Sequence, residues 1–208
     1  MHARIVRLKG SPEGVGDRVA MFEREALPRI REQPGFDGVV VLGGSDGAGA
    51  VTTYWESEDA MAASREALAA VREQMMAAQG LEVLSTEEYE VTLMERRPGA
   101  GPQPGNAARL TRARGNLEAA ATAMEQLRGE GVELLNTLNG FRALISGVDR
   151  ASGRFYVVSG WDTPADRDAS ESATAEQRAR LAELVGATDI EVDLYEVALA
   201  EVSAAVRP

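Results

Sequence analysis

The sequence predicts an α+β fold made of two tandem units, each with the element order β-α-β-β-α-β. Three observations predict it: a sequence repeat, the same series of strand and helix patterns in both halves, and a Pro/Gly-rich segment between them. The repeat holds an offset of 105 or 106 residues; its members are Gly35-Phe36 and Gly140-Phe141, Trp55 and Trp161, Ser64 and Ser170, Tyr89-Glu90 and Tyr195-Glu196. A fixed offset between residues of these types indicates one structural unit used twice.

The first unit is predicted to span residues 1–96. Runs rich in β-branched and aliphatic residues predict strands at 3–9, 36–42, 50–55 and 88–95. Apolar residues at steps of three and four predict a helix over 15–30, which Pro28 should kink. The glycine-rich stretch 43–47 predicts a hairpin turn. Ser57 is expected to cap a second helix, whose apolar stripe includes Met61, Leu68 and Met75.

The second unit is predicted to span residues 106–208 and to repeat this order. Strands are expected at 107–113, 141–148, 154–161 and 190–202, and helices at 117–138 and 164–185, the first of them broken near Gly129–Gly131. Between the units, residues 97–105 contain three prolines and three glycines and predict a linker. Fully extended, such a segment reaches roughly 30 Å.

This element order with right-handed crossovers predicts a ferredoxin-like unit, a four-stranded antiparallel sheet with both helices on one face. The run Val39–Leu42 is apolar at successive positions, so both faces of its strand need cover. We therefore expect the two sheets to pack face to face as a pseudo-dimer within one chain.

Composition narrows the function. The formal charge of −11 and the pI near 4.7 argue against nucleic acid and against anionic membrane surfaces as partners. The absence of cysteine excludes disulfides and thiolate chemistry, and the single histidine, His2, argues against a Ser-His-Asp triad, a histidine-rich zinc site or a central haem ligand. Neither a secretory signal nor a membrane span is visible, so we expect a cytoplasmic protein. We also expect it to use no metal or cofactor.

A Pro-Gly-Phe motif, a hairpin, and then Thr53-Tyr54-Trp55-Glu56-Ser57-Glu58 leading into an alanine-rich helix resemble the antibiotic-biosynthesis monooxygenase-like proteins. This family belongs to the dimeric α+β barrel superfamily. The resemblance covers residues 3–95 well and residues 107–202 more loosely, through Asn139-Gly140-Phe141 and Trp161-Asp162-Thr163. It implies a dimeric α+β barrel formed by the two tandem units of a single chain.

The resemblance implies mixed activities. Some family members oxidise polyketide phenols without metal or flavin, and others open the haem ring. In the cofactor-free oxygenases the tryptophan matched by Trp55 is accompanied by an asparagine four residues earlier and a tyrosine six residues later. Those positions hold Val51 and Met61 here, and Val157 and Arg167 in the second half. The haem-degrading branch needs a tryptophan where Ser64 stands and a histidine on that helix, so haem degradation is not expected.

The resemblance implies a cofactor-independent monooxygenase-like protein of secondary metabolism that acts on an aromatic or polyketide-like molecule. A cyclase or isomerase using the same pocket stays open, as does a non-catalytic small-molecule-binding or stress-related protein. No catalytic residue can be assigned, and a further homodimer is left open.

Two kinds of residue are candidates for ligand binding. Trp55 and Trp161 could contact an aromatic ligand, and Tyr156 could donate a hydrogen bond to a substrate carbonyl, although plain core packing is the favoured alternative for all three. Helix 164–185 carries a polar stripe where the first unit has an apolar one, and this predicts a polar-lined pocket in the C-terminal unit, with the N-terminal unit mainly scaffold. The alternative is a helix rotated so that Ala169, Ala173 and Leu184 pack inward. The stripe consists of Arg167, Ser170, Thr174 and Gln177, and the candidate partners for a substrate anion are Arg109, Arg112, Arg142 and Arg154.

Overall fold

The computed structural model describes residues 1–202, so the end of the predicted second unit, 203–208, lies outside the described residues. Contacts divide the chain into two compact units. Unit 1 comprises Met1–Glu88 with residues 195–202, and unit 2 comprises Tyr89–Leu194. These units differ from the repeat boundaries because two long strands, β4 (Glu82–Arg96) and β8 (Thr188–Val202), each begin in one unit and end in the other.

The sheet of unit 1 is antiparallel, with the order β1-β3-β2-β8. Its strands are β1 (His2–Lys9), β2 (Phe36–Gly43) and β3 (Ala48–Trp55), joined at β2 by the last part of β8. The predicted hairpin turn joins β2 to β3 and is closed by the Gly44 N–H, which donates to the Ala48 carbonyl at 2.7 Å. Gly47 has φ 85°, and a Cβ there would stand 2.3 Å from the Gly10 carbonyl oxygen. The turn therefore requires glycine at this position.

The helices of unit 1 come in two pairs. The first consists of α1 (Val15–Met21) and α2 (Leu27–Arg31), separated by a π-helical turn at Phe22–Ala26. Pro28 was expected to kink this helix, and the irregular turn lies just before it, because proline has no N–H to continue the helical ladder. The second consists of α3 (Glu58–Ala67) and α4 (Ala69–Gln79). The predicted cap is confirmed: Ser57 Oγ accepts from the Ala60 N–H at 3.1 Å.

Unit 2 has the same arrangement, with the sheet order β5-β7-β6-β4. Its strands are β5 (Ala107–Arg114), β6 (Phe141–Asp149) and β7 (Arg154–Trp161), joined at β6 by the last part of β4. Its helices are α5 (Ala120–Gln126), α6 (Val132–Thr137) and α7 (Pro164–Leu184). A π-helical turn at Leu127–Gly131 lies where the glycines predicted a break. Residues 97–106 form neither helix nor strand and lie within unit 2.

The repeated residues have a physical reason in each unit. Phe36 packs edge-on against Trp55 with ring centroids 5.7 Å apart, and Phe141 packs on Trp161 at 5.5 Å. Gly140 has φ 69°, and a Cβ there would meet the Asp166 side chain at 2.4 Å. In each unit the repeated glycine takes a positive φ just before a strand, and the repeated Phe and Trp form an aromatic pair in the core. The predicted α+β class is confirmed.

Dividing the chain within residues 97–105 should give halves that do not form stable units alone. The first half would lack the part of β8 that pairs with β2, and the second would lack the part of β4 that pairs with β6. An uncovered strand edge of this kind promotes aggregation or pairing with another chain. We predict that the two halves, expressed separately and mixed, elute from a size-exclusion column as a 1:1 complex. Two halves that each unfold cooperatively as monomers and ignore each other would contradict this.

Candidate functional site

Unit 1 contains a cavity of about 160 Å³ between its sheet and its helices. β1, β2 and β3 supply the floor, with Val6, Val41 and Val51 among the lining residues. α1, the π-helical turn and α4 supply the opposite wall, with side chains such as Phe22 and Met75. The alternation of side chains along each strand and the three-to-four-residue spacing of the helices place these apolar groups on facing surfaces. The lining is therefore mostly aliphatic and aromatic, which suits an apolar ligand.

Trp55 lines this cavity and is fully buried. Its indole Nε1 donates to Thr53 Oγ1 at 3.0 Å, so the ring has one fixed orientation. The aromatic face rather than the N–H is therefore what the tryptophan can offer a ligand. Trp161 makes the equivalent bond to Ser159 Oγ at 3.0 Å, but it lies in unit 2 within a cluster that includes Leu127, Leu135 and Phe141.

Three arginines line the same cavity: Arg4, Arg18 and Arg72. Arg18 donates to the backbone carbonyls of Ser11 and Glu13 at 2.6 and 2.7 Å. Arg72, on α4, is half-buried. In the part of the chain that the structure describes, the lining residues include no carboxylate, histidine or tyrosine. The cavity is thus apolar with a positive margin, in a chain whose net charge is −11.

Arg4 is buried at 5% exposure and ties β1 to α3. Its Nη1 donates to Ser64 Oγ at 2.9 Å, its Nη2 donates to the Met61 carbonyl, and its Nε donates to Glu88 Oε1 at 2.8 Å. We call Arg4, Ser64 and the Met61 carbonyl the Arg4 network. Burial lowers the pKa of Arg4, and the hydrogen bond to Glu88 partly offsets the loss of hydration. A buried guanidinium is tolerated because its donors have acceptors.

Unit 2 repeats this network at the expected offset. Arg109, also 5% exposed, donates from Nη1 to Ser170 Oγ at 3.2 Å and from Nη2 to the Arg167 carbonyl at 2.7 Å. Its carboxylate partner is Glu171, at 3.1 Å. Burial lowers the pKa of Arg109 in the same way. Arg4 and Arg109 therefore hold the second helix of each unit against its first strand.

The polar stripe of α7 has this structural explanation. Ser170 donates to the Arg167 carbonyl at 2.6 Å, and Thr174 donates to the Ser170 carbonyl at 2.9 Å. Arg167, Ser170 and Thr174 are buried, whereas Ala169 and Ala173 are exposed, so the alternative of a rotated helix is wrong. A helical serine or threonine can satisfy its hydroxyl on the carbonyl one turn back, so the polar stripe is buried without needing water around it.

The predicted site residues are therefore divided between the units. Trp55 lies on the cavity of unit 1, whereas Trp161, Tyr156 and the α7 stripe belong to unit 2. Tyr156 is buried, its ring 4.7 Å from that of Tyr89. Gln177 Nε2 lies 3.3 Å from where a Cβ on Gly131 would stand, against the π-helical turn. The cavity next to Trp55 lies in the N-terminal unit, and the polar-lined pocket in the C-terminal unit stays a prediction.

The arginines proposed as anion partners are largely engaged within the protein. Arg109 belongs to the network of unit 2, and Arg112 pairs with Glu191 and Asp193 at 2.5 and 3.1 Å. Arg142 pairs with Asp162 and donates to the Gly101 carbonyl. Arg154 is half-buried at the start of β7.

Sequence reasoning missed Arg18 and Arg72, which belong to no motif. It also missed the Arg4 network, although Arg4 and Arg109 stand at the repeat offset of 105.

Residues 1–202 contain no group of three or more His, Asp or Glu side chains arranged to hold a metal ion. Within that same range, every helix is too short or too polar to cross a membrane.

Comparison of the sequence with models of known families and with curated proteins finds no match. Solved structures do match. An anthrone oxidase-like protein superposes with a TM-score of 0.67 at 16% identity, covering 98% of this chain and 94% of that one. A proposed monooxygenase from Fusobacterium nucleatum subsp. nucleatum gives 0.70 at 11% identity, with 97% and 94% covered.

A third match is a ferredoxin-fold protein from Listeria monocytogenes related to antibiotic biosynthesis monooxygenases, with a TM-score of 0.57, 8% identity and 94% of both chains covered. The chain shares the ferredoxin-like α+β fold of the antibiotic-biosynthesis monooxygenase-like proteins, as the resemblance in its sequence predicted.

Replacing Ser64 by alanine should destabilise the protein by about 1–3 kcal/mol, because Arg4 Nη1 would lose its acceptor in a buried position. Urea unfolding followed by circular dichroism measures this. Ser172→Ala is the matched control, since Ser172 is exposed on α7 and should change the free energy of unfolding by less than about 0.5 kcal/mol. Equal effects of the two substitutions would contradict the role given to the Arg4 network.

Proposed function

We propose that this chain is a cofactor-independent monooxygenase-like protein that binds an aromatic or polyketide-like small molecule in the cavity of unit 1. The observation that carries the proposal is the mostly apolar cavity beside the buried ring of Trp55. Aromatic ligands are held in such cavities by apolar contact and by stacking. The fold shared with monooxygenase-like proteins supports the same reading.

An oxidation without cofactor places specific demands on the substrate. A suitable substrate has an activated methylene that is flanked by aromatic rings and lies opposite a ketone, as in anthrone. Loss of a proton gives a carbanion that transfers electrons to O₂; the methylene becomes a carbonyl, one oxygen atom stays on the carbon, and the other leaves as water. The protein would exclude bulk water and stabilise the anion with the guanidinium groups at the cavity, where a low dielectric strengthens the attraction.

A second candidate, a non-catalytic ligand-binding protein, is favoured by one observation. The described residues around the cavity offer no carboxylate, imidazole or phenol to accept a proton. A carrier needs no proton acceptor, whereas an oxygenase would have to release the substrate proton to water. A cyclase or isomerase is less well supported, because it must both remove and return a proton.

We also propose that the chain arose by tandem duplication and that its halves form an internal pseudo-dimer. The equivalent strand orders, the Phe–Trp pairs and the paired arginine networks support the duplication.

Binding can be located with the two tryptophans. Titration with 2-naphthamide, an uncharged aromatic probe that is not oxidised, should shift the indole N–H resonance of Trp55 and leave that of Trp161 in place. Trp55→Phe and Trp161→Phe assign the two signals in nitrogen–proton correlation spectra. A shift of the Trp161 signal alone, or of neither, would argue against a ligand site in unit 1.

Turnover is tested with anthrone in an oxygen electrode. The oxygenase proposal predicts protein-dependent uptake of one O₂ per ketone formed, above the rate in buffer. Val71→Trp, which fills the cavity from α4, should remove that uptake. Binding of anthrone without oxygen uptake would instead select the non-catalytic carrier. Uptake that survives Val71→Trp would place the chemistry outside this cavity.

A further inference from the structure

We propose that the ligand of the unit 1 cavity carries a carboxylate and that Arg72 binds it. The inference rests on the proposed function, because it concerns the same cavity and defines the class of molecule that enters it. Arg72 lines the cavity from α4, on a surface that is mostly apolar.

The charges at the cavity are not balanced. Arg4 has Glu88 as its carboxylate partner, and Arg18 is held by backbone carbonyls. Among the residues that the structure describes, the guanidinium of Arg72 has no hydrogen bond or ion pair. The chain contains 33 Asp and Glu residues, yet none of those described lines this cavity. A guanidinium beside an apolar surface and without a counterion favours an anionic ligand.

Comparison of the two repeats shows that Arg72 lacks, among the described residues, the carboxylate counterion that its counterpart has. At an offset of 106 residues, Arg72 corresponds to Arg178 and Arg65 corresponds to Glu171. In unit 2, Arg178 pairs with Glu171 through both terminal nitrogens, and this contact lowers the pKa of the Glu171 carboxyl. Unit 1 has arginine where unit 2 has that glutamate, and Arg65 itself pairs with Glu88 at 2.6 Å. The counterion present in one unit is therefore replaced by a like charge in the other.

The positions next to Arg72 and Arg178 also differ between the two units. Val71 lines the cavity in unit 1, whereas its counterpart Gln177 packs against Gly131 in unit 2. At these positions unit 1 therefore has an apolar cavity wall and a cation unpaired among the described residues, whereas unit 2 has a glutamine against its π-helical turn and an arginine–glutamate pair. An arginine fork matches a carboxylate in two parallel hydrogen bonds, and such bonds are stronger where water is excluded. A molecule with an aromatic body and one carboxylate satisfies both features.

The test compares two probes of the same shape that differ in charge, 2-naphthoate and 2-naphthamide. Isothermal titration calorimetry with the full chain should show 2-naphthoate binding about tenfold tighter or more, as expected for a charge-assisted hydrogen bond. Arg72→Gln should remove this preference and leave the affinity for 2-naphthamide unchanged. Arg178→Gln, the matched substitution in unit 2, should retain the preference. Added salt should weaken 2-naphthoate selectively.

The outcomes separate the two proposals. If 2-naphthamide binds and 2-naphthoate binds no tighter, the carboxylate inference is overturned while the cavity proposal stands. If Arg72→Gln weakens both probes equally, Arg72 only supports the cavity wall and the inference is also overturned. If neither probe binds the intact chain, both proposals fail together. A preference lost in Arg178→Gln and kept in Arg72→Gln would move the anion site to unit 2.

Discussion

The hydrogen bonds of the buried Arg4 guanidinium are the interaction on which the cavity wall depends. It connects β1 to α3 through Ser64 and the Met61 carbonyl, and it positions the helix that leads into α4. A charge taken out of water is stable only while its partners remain, and leaving one of its buried donors without an acceptor costs about 1–3 kcal/mol. The Arg4 network therefore holds α3 against β1 without a ligand. In unit 2, Arg109 connects β5 to α7 through Ser170 and the Arg167 carbonyl, so each unit has the same kind of contact between its first strand and a helix.

The two units differ along their second helices. In unit 2, Leu181 packs against the hydrophobic core, Gln177 lies against the π-helical turn, and Glu171 pairs with both Arg109 and Arg178. In unit 1 the corresponding wall is aliphatic around a space of about 160 Å³, and the cation on α4 lacks a carboxylate among the described residues.

Local signals in the sequence predicted most of the elements. The hairpin at 43–47, the Ser57 cap and the break at Gly129–Gly131 each follow from backbone rules that act over a few residues. The division of β4 and β8 between units could not be predicted, since it depends on contacts far apart in sequence. The polar stripe of α7 does not by itself require a pocket, because the hydroxyls of Ser170 and Thr174 donate to carbonyls of α7 itself. Arg72 could not be singled out from the sequence, because the pairing of Arg178 with Glu171 is visible only in the structure.

The most direct test of the account is a crystal structure of the intact protein grown with 2-naphthoate. The account predicts the naphthalene ring in the unit 1 cavity against Trp55 and Met75, with the carboxylate on the guanidinium of Arg72. Electron density for the probe only on unit 2, or a unit 1 cavity collapsed and empty at saturating probe, would contradict it.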